Sequence, residues 1–235
     1  MHNKQAPTIH TLTKKISDYE SKDSIGSKMR AKRIAPLRQQ IIDVFNQHGF
    51  VSIIDIGGTQ RYWNIIPLEF LKQYKVSITI VNLPCISKPE NNGPFLFEHG
   101  NACDLKEFET NAFHIAHSNS VIEHVGDWAN MAAYAQELKR VASKYFVQTP
   151  NYWFPIEPHC MTPFFHWLPK PMRIWLVLKF SVGNWPQAKT VDKAVRLTES
   201  ARLLNKRMFC ALFDDAHIIT EKVFLLSKSH IAIRD

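Results

Sequence analysis

The feature that most constrains the fold is a run of β-branched residues that ends in a pair of glycines. It reads Val-Ser-Ile-Ile-Asp-Ile-Gly-Gly-Thr-Gln-Arg from Val51 to Arg61. Such closely spaced β-branched residues predict a strand that is covered on both faces, as in a parallel sheet. Gly57 and Gly58 predict a sharp turn that brings the backbone close to another group. Asp55 stands just before the turn, where open α/β sheets bind their ligands. A plain strand-to-helix turn with a structural Asp is the alternative.

Further strands and helices are predicted to alternate along the chain. Apolar residues at helical spacing between Ser27 and His48 predict a helix before the first strand. Asp127 is predicted to cap another helix. Further buried strands are predicted at residues 76–82, 95–97, 113–117 and 145–148.

Two apolar runs, 218–226 and 229–233, are separated by Ser227-Lys228 and predict a closing antiparallel pair at the sheet edge. The alternation predicts an α/β fold: a doubly wound, mostly parallel, Rossmann-like sheet of about seven strands with the last strand antiparallel and helices on both faces.

The domain organisation is predicted from shifts in composition. Residues 1–26 are polar and without periodicity, which predicts a flexible arm, and residues 27–235 are predicted to form a single domain. Within it, the prolines and aromatic residues that follow residue 150 break the alternation. We therefore expect residues 150–210 to form an insertion, or lid, that covers the active site.

Charge and hydropathy limit the partners and the location. The net charge is +8, with basic runs between Lys28 and Arg38 and between Lys170 and Arg207. These runs suggest an anionic partner such as a phosphate-bearing substrate, a membrane surface or a nucleic acid, and a solvated basic face is the alternative. No secretory signal and no apolar run long enough to span a bilayer are visible, which favours a cytoplasmic location.

The apolar-rich stretch from Met172 to Phe180 allows two roles. One is core packing. The sharper hypothesis is a lid or a peripheral contact with the inner membrane face through residues 170–182 and the basic runs, with Arg173 and Lys179 snorkelling. The four cysteines have no metal-ligand or disulfide spacing, so no metal site is predicted.

Polar residues stand at or just after the carboxyl end of each of the first four predicted strands. They are Asp55 with the glycine turn, then Asn82, Asp104, and Ser118 with Asn119. Because the carboxyl ends of parallel strands meet at one edge, these residues can line a single cleft. The dinucleotide fingerprint GxGxxG is absent, which disfavours a pyrophosphate-binding turn.

This set resembles the class I S-adenosylmethionine-dependent methyltransferases over roughly residues 30–233. A bacterial subgroup associated with surface polysaccharides shares motifs that stand here at Asp55–Thr59, Val81–Leu83, Ser118–Gly126, Gln148–His159 and Lys228-Ser229. The resemblance implies a cofactor-binding set: Asp55, Gly57, Gly58, Thr59, Asn82, Leu83, Asn101, Ala102, Asp104, Ser118 and Asn119.

The resemblance also implies individual roles. Asp55 starts the turn beside the amino-acid end of S-adenosyl-L-methionine, Asn82 meets the ribose hydroxyls, and Asp104 reaches the adenine amino group. Two residues depart from the wider superfamily. Thr59 replaces the second glycine of the usual turn, and Asn82 replaces an acid, so its hydrogen bond to a diol lacks charge assistance.

The implied reaction is methylation of a sugar hydroxyl in a bacterial surface glycan or its precursor, with S-adenosyl-L-homocysteine as product. The alternatives are an O- or N-methyltransferase of small metabolites, or an inactive cofactor-binding subunit. A nucleic acid partner is not expected, since no Asn-Pro-Pro-Tyr-like motif follows the fourth strand. The oligomeric state is left open.

A hydroxyl nucleophile needs a base, and two histidines are candidates. They are His124 and His159, with Glu123 as a third catalytic candidate that orients the base or the acceptor. Both histidines have structural alternatives: His124 as a buried histidine that caps the helix or packs against the cofactor, and His159 as a structural turn histidine. The residues expected to bind the acceptor are Tyr152, Trp153, Glu157 and Trp167. For the aromatic residues, packing within the proline-stiffened loop is the alternative.

Overall fold

The computed structural model describes residues 33–235. Its first half follows the predicted alternation of strand and helix. Helix α1 (Ala35–His48) ends at Gly49, whose φ of +75° a residue with a Cβ rarely adopts. Strand β1 (Val51–Ile56) leads through a 3₁₀ helix (Gln60–Ile65) to α2 (Leu68–Gln73) and β2 (Val76–Asn82).

The next elements complete the parallel part of the sheet. They are β3 (Phe95–His99), β4 (Phe113–Asn119), a 3₁₀ helix (Ile122–His124), α3 (Trp128–Val141) and β5 (Ala142–Pro150). Asp127 caps α3 as predicted, because its carboxylate accepts a hydrogen bond of 3.0 Å from the Asn130 amide.

The remaining elements are shorter. They are β6 (Ile156–Glu157), β7 (Thr162–Pro163), a 3₁₀ helix (Phe165–Trp167), α4 (Lys170–Lys179), α5 (Val191–Thr198), α6 (Lys206–Leu212), β8 (His217–Val223) and β9 (Leu226–Arg234).

The central sheet has seven strands in the order β3-β2-β1-β4-β5-β9-β8. Every pair from β3 to β5 is parallel, and β9 runs antiparallel to both of its neighbours. The predicted fold class is therefore confirmed, including the reversed last strand. The strand order turns back between β1 and β4, and such a reversal is where open α/β sheets bind their ligands.

The turn between the last two strands is not where the sequence suggested. It lies at Phe224-Leu225, with φ of +47° and +70°, and not at Ser227-Lys228. The predicted position was wrong, and Ser227 and Lys228 lie within β9, where Asn151 binds their main chain. Its side-chain amide donates to the Ser227 carbonyl at 2.8 Å and its backbone N–H to the Lys228 carbonyl at 2.9 Å. Those two residues are thereby held in strand β9.

The sheet is flanked by helices, and one face carries a continuous apolar core. Alternate residues of the strands, Ile54 and Ile56 among them, pack there against the buried stripe of α3 and against Phe209 and Phe213. The neighbouring strand residue Asp55 therefore belongs to the opposite face. Its side chain is fully buried.

The described chain divides into two compact units. Residues 155–198, with 33–35, form one, and residues 36–154 with 199–235 form the other, which contains the sheet. The smaller unit has its own core, in which Cys160, Phe165 and Val177 are buried. The insertion was predicted at 150–210, and its role as a lid stays a prediction. The predicted arm, residues 1–26, lies outside the described residues. No helix between residues 33 and 235 has the length and apolarity needed to cross a bilayer.

Candidate functional site

The Asp55 carboxylate lies at the centre of a buried hydrogen-bond network under the glycine turn. The strand register aligns Asp55 with His117 of β4, and His117 Nδ1 donates to Asp55 Oδ1 at 2.6 Å. The other oxygen, Oδ2, accepts a hydrogen bond of 2.7 Å from the indole N–H of Trp63. Both carboxylate oxygens are thus bound by side chains. The network joins β1, β4 and the 3₁₀ helix Gln60–Ile65.

The two glycines leave room for the protein's own side chains. A Cβ on Gly58 would overlap the Asp55 carboxylate, and a Cβ on Gly57 would lie 2.7 Å from a methyl group of Val121. Gly57 also has a φ of +70°, and its N–H donates to the Val81 carbonyl at 2.8 Å. The turn is therefore packed from below by Asp55 and from the side by Val121. Gly57 and Thr59 are exposed to solvent.

The end of β2 is joined to the glycine turn. The side-chain amide of Asn82 donates to the Gly58 carbonyl at 3.0 Å. With its nitrogen used in this way, the Asn82 side chain offers its carbonyl oxygen as an acceptor. Leu83, the next residue, is 48% exposed.

The loop after β3 lies beside the end of β2. The N–H of Gly100 donates to the Asn82 carbonyl at 2.9 Å. Asn101 then forms a tight turn, in which its carbonyl accepts from the Asp104 N–H at 2.8 Å and its side chain from the Cys103 N–H at 3.1 Å. Ala102 packs on the apolar core. The Asp104 side chain is 57% exposed and pairs with Lys106 at 3.6 Å.

The end of β4 brings the Ser-Asn-Ser motif next to the same turn, on the other side of β1. Ser118 is buried and donates to the Ile56 carbonyl at 3.1 Å. Asn119 is half-buried. Ser120 donates to the Gln148 side chain at 3.0 Å, which fixes the loop on β5. Glu123 is buried and accepts a hydrogen bond of 3.0 Å from Thr149.

His124 is held in one tautomer. Its Nδ1 lies 2.7 Å from the Ser200 carbonyl, and a carbonyl oxygen can only accept, so Nδ1 carries the proton. In the neutral ring the lone pair is then at Nε2. The side chain is exposed, so the ring is not the buried helix cap that was one alternative for it.

His159 and Glu157 belong to the 155–198 unit and form a pair there. The Nδ1 of His159 donates to Glu157 Oε1 at 2.7 Å, which again leaves the ring lone pair at Nε2. Burial alone would raise the pKa of Glu157. The hydrogen bonds from the His159 side chain and the Cys160 amide outweigh burial and hold that pKa below its usual value.

The three aromatic candidates differ in setting. Tyr152 and Trp153 follow β5, with their rings edge to face at 4.9 Å, and Trp153 is 62% exposed. Trp167 lies in the 155–198 unit and is 39% exposed. It contacts Phe164 at a ring distance of 5.2 Å. An exposed indole can stack on a ligand ring, whereas a buried one cannot.

In the sheet-bearing unit the structure brings the ends of β2, β1 and β4 together around the glycine turn. The candidates His159, Glu157 and Trp167 belong to the other unit. Sequence reasoning missed Trp63 and His117, which hold Asp55. The signal for His117 was available, because Asp55 and His117 stand at matching positions, just before the ends of neighbouring strands. The Trp63 contact depends on the path of the 3₁₀ helix and had no such signal.

No protein-family model matches this sequence, and a search of the curated proteins finds no match. Solved structures do show likeness. A proposed Zn-dependent alcohol dehydrogenase from Rhodobacter sphaeroides is 10% identical with a TM-score of 0.47, over 87% of this chain and 96% of that one. An O-methyltransferase family protein from Burkholderia thailandensis is 14% identical with a TM-score of 0.46, over 94% of this chain and 66% of that one.

The third is phosphoethanolamine N-methyltransferase 2 from Haemonchus contortus in complex with S-adenosyl-L-methionine. It is 12% identical with a TM-score of 0.46, over 86% of this chain and 44% of that one. At such scores these likenesses assign neither a family nor an activity to the chain.

Proposed function

We propose that this chain is an S-adenosyl-L-methionine-dependent methyltransferase that methylates a hydroxyl group. The observation that carries the proposal is the convergence of Asn82, the glycine turn and the Ser118-Asn119 motif on three neighbouring strand ends, at the reversal of the strand order. That is where an open α/β sheet binds its ligand. The motifs that resemble the class I enzymes are the same ones that meet there.

The chemistry of this edge suits a cationic, ribose-bearing cofactor better than a pyrophosphate. The side chains of Asp55 and Val121 fill the space next to the two glycines. The turn therefore lacks the open glycine backbone that a dinucleotide pyrophosphate needs. The side-chain carbonyl oxygen of Asn82 can accept a hydrogen bond from a ribose hydroxyl, and the exposed Asp104 carboxylate can accept one from the adenine amino group. When bound, the cofactor supplies an electrophilic methyl group.

Asp55 acts in this proposal as a positioning residue. Its carboxylate is fully buried and accepts from His117 and Trp63, so it shapes the turn from beneath instead of binding the cofactor amino group directly.

A histidine takes the proton of the acceptor hydroxyl. His124 and His159 both hold their lone pair at Nε2 and are both oriented through Nδ1, by the Ser200 carbonyl and by Glu157 respectively. A base that is fixed by a second group in this way needs little reorganisation to accept a proton. The Glu157 carboxylate, in addition, stabilises the imidazolium that forms.

The acceptor is proposed to be a sugar hydroxyl of a bacterial surface glycan or its precursor. The exposed indole of Trp153 offers an apolar plane on which a sugar ring can stack. That acceptor class comes from the resemblance of the motifs, and the exposed Trp153 agrees with it.

The cofactor is tested by calorimetric titration of the purified chain with S-adenosyl-L-methionine and S-adenosyl-L-homocysteine. We expect both to bind, and Asp104→Asn to weaken each by roughly tenfold through loss of a charge-assisted hydrogen bond. Glu109→Gln changes another exposed acid between β3 and β4 and should bind as the wild type does. Folded protein that binds neither compound would exclude the proposal.

The base is tested by measuring S-adenosyl-L-homocysteine formation with a panel of sugar nucleotides and lipid-linked sugars. Replacing the true base by Ala should lower the rate by about 10²–10⁴-fold, with cofactor affinity unchanged. His124→Ala and His159→Ala are compared, and Glu157→Gln should mimic a partial loss only if His159 is the base. A full rate in both His variants would exclude both histidines as the base, and cofactor binding without turnover of any sugar or amine acceptor would indicate an inactive subunit.

A further inference from the structure

The β8–β9 hairpin ends in an apolar tip that is almost entirely exposed. Phe224 is 94% exposed, Leu225 is 90% exposed and Leu226, which begins β9, is 50% exposed. We call Phe224–Leu226 the hairpin tip. Scattered apolar residues on a surface are ordinary, but three consecutive large ones at the end of a projection are not.

The backbone of the tip is unfavourable for the residues that occupy it. Phe224 and Leu225 both have positive φ, which is the pattern of a two-residue hairpin turn normally filled by Asn-Gly or similar pairs. Large side chains are strained in that region, so the local conformation gives no reason to keep them. Their presence indicates a role for the side chains themselves, as backbone strain at a functional segment often does.

The tip projects from the same edge of the sheet as the candidate cofactor site. Strand β8 runs in the same direction as β5, because both are antiparallel to β9. The carboxyl end of β5, Pro150, pairs with Ser229, and β9 begins three residues before that point. Four strand steps separate β1 from β8, which is roughly 19 Å across the sheet.

One exposed cation, Lys222, stands beside the tip, and the acids Asp214 and Asp215 lie at the other end of the hairpin. Asp214 and Asp215, in contrast, precede β8 and are paired with Lys139 and Arg234. Glu221 accepts a hydrogen bond from Ser229.

We propose that the hairpin tip inserts into the interface of an anionic lipid bilayer, so that the carboxyl edge of the sheet faces the membrane. A convex finger of three apolar residues offers too little area for a standard protein–protein interface, which needs about 800 Å² on each partner. A deformable lipid interface accepts such a finger without a preformed pocket, and Phe is suited to that depth. The exposed Lys222 would face the anionic headgroups.

The test is co-sedimentation of the full chain with vesicles at low salt. We expect binding to mixed phosphatidylcholine and phosphatidylglycerol vesicles and weak binding to pure phosphatidylcholine. Phe224→Asn with Leu225→Gly removes the apolar groups and installs the preferred turn residues, so the variant should fold normally and lose binding by at least roughly tenfold. Lys222→Ser should reduce binding to the anionic vesicles only, by several-fold.

Leu96→Thr is the matched control, since Leu96 is a 39% exposed apolar residue on β3, at the far lateral edge of the sheet. It should bind vesicles as the wild type does. Absence of wild-type binding, or equal binding by the Asn-Gly variant, overturns the proposal. So does a wild-type dimer that the Asn-Gly variant separates without any vesicle binding, which would make the occupant a second copy. These readouts need no methyl transfer, so the proposed activity stands or fails separately.

Discussion

Two turns at the same edge of the sheet use the left-handed region of the backbone in opposite ways. After β1, Gly57 has a φ of +70°, and each of the glycines there leaves space for a side chain of the protein, Asp55 or Val121. At the β8–β9 hairpin, Phe224 and Leu225 take positive φ and meet solvent on almost every side. In the first turn backbone and residue agree. In the second turn the positive φ values disfavour the large side chains of Phe224 and Leu225, although glycine would adopt them without strain.

Packing explains the residues of the glycine turn but not those of the hairpin tip. At the glycine turn a side chain would collide with Asp55 or Val121, so stability alone explains the residues. At the hairpin tip stability would favour other residues, so another pressure must account for Phe224 and Leu225. The comparison predicts that mutations at the first turn lose stability, and that mutations at the second gain it while losing an interaction.

The largest loss is expected for Asp55→Ala. It would leave the Trp63 indole N–H and His117 Nδ1 buried without their acceptor, so we expect the free energy of unfolding to fall by about 3–5 kcal/mol. Urea unfolding followed by circular dichroism measures it. Trp63→Phe keeps an aromatic ring and removes only one of the two donors, and should lose markedly less. Equal losses would mean that ring packing, and not the carboxylate, holds the turn.

Much of this site was predictable because it follows from strand pairing. The buried strand, the glycine turn and the convergence of Asn82 and Ser118 on it are consequences of a parallel sheet. The pairing of the Asp55 oxygens with His117 and Trp63 was not predicted, since it depends on side-chain geometry. The hairpin turn was misplaced because turn rules favour polar residues, and Phe224-Leu225 violates them.

Two glycine-to-alanine variants distinguish steric overlap with a neighbouring side chain from backbone strain at a positive φ. Gly58→Ala would push a methyl group into the Asp55 carboxylate, and we expect a loss of about 2–3 kcal/mol in the free energy of unfolding. Gly49→Ala is the control, because Gly49 has a φ of +75° and a Cβ there would meet no atom within 4 Å. Strain alone should cost about 1 kcal/mol at that position. If both variants lose the same amount, the Asp55 contact does not explain Gly58.

The stability of the fold should fall in acid because of one buried histidine. His230, in the middle of the β8–β9 hairpin, is buried, and burial followed by the Lys206 charge lowers its pKa to about 4 from a usual 6.5. The folded state therefore prefers the neutral ring. The stability from that preference is full above pH 6.5 and is lost as the pH falls toward 4.

His230→Asn cannot titrate in that range. Urea unfolding at neutral pH and near pH 4.5 should show the wild type losing more stability on acidification than the variant, by on the order of 1–2 kcal/mol. The hairpin end should then loosen in acid before the glycine turn does, which hydrogen exchange of the β9 amides can resolve. Identical acid sensitivity in both proteins would remove His230 from the explanation.

The smallest effect has the opposite sign and bears most directly on the comparison. Phe224→Asn with Leu225→Gly places residues that favour positive φ at both turn positions, so we expect a gain of about 1 kcal/mol in the free energy of unfolding. Thermal and urea unfolding of the two proteins measure it. The side chains are nearly fully exposed, so little packing is lost to offset the relief of strain. A loss of stability would mean that Phe224 and Leu225 stabilise the fold. Stability would then explain the residues of both turns.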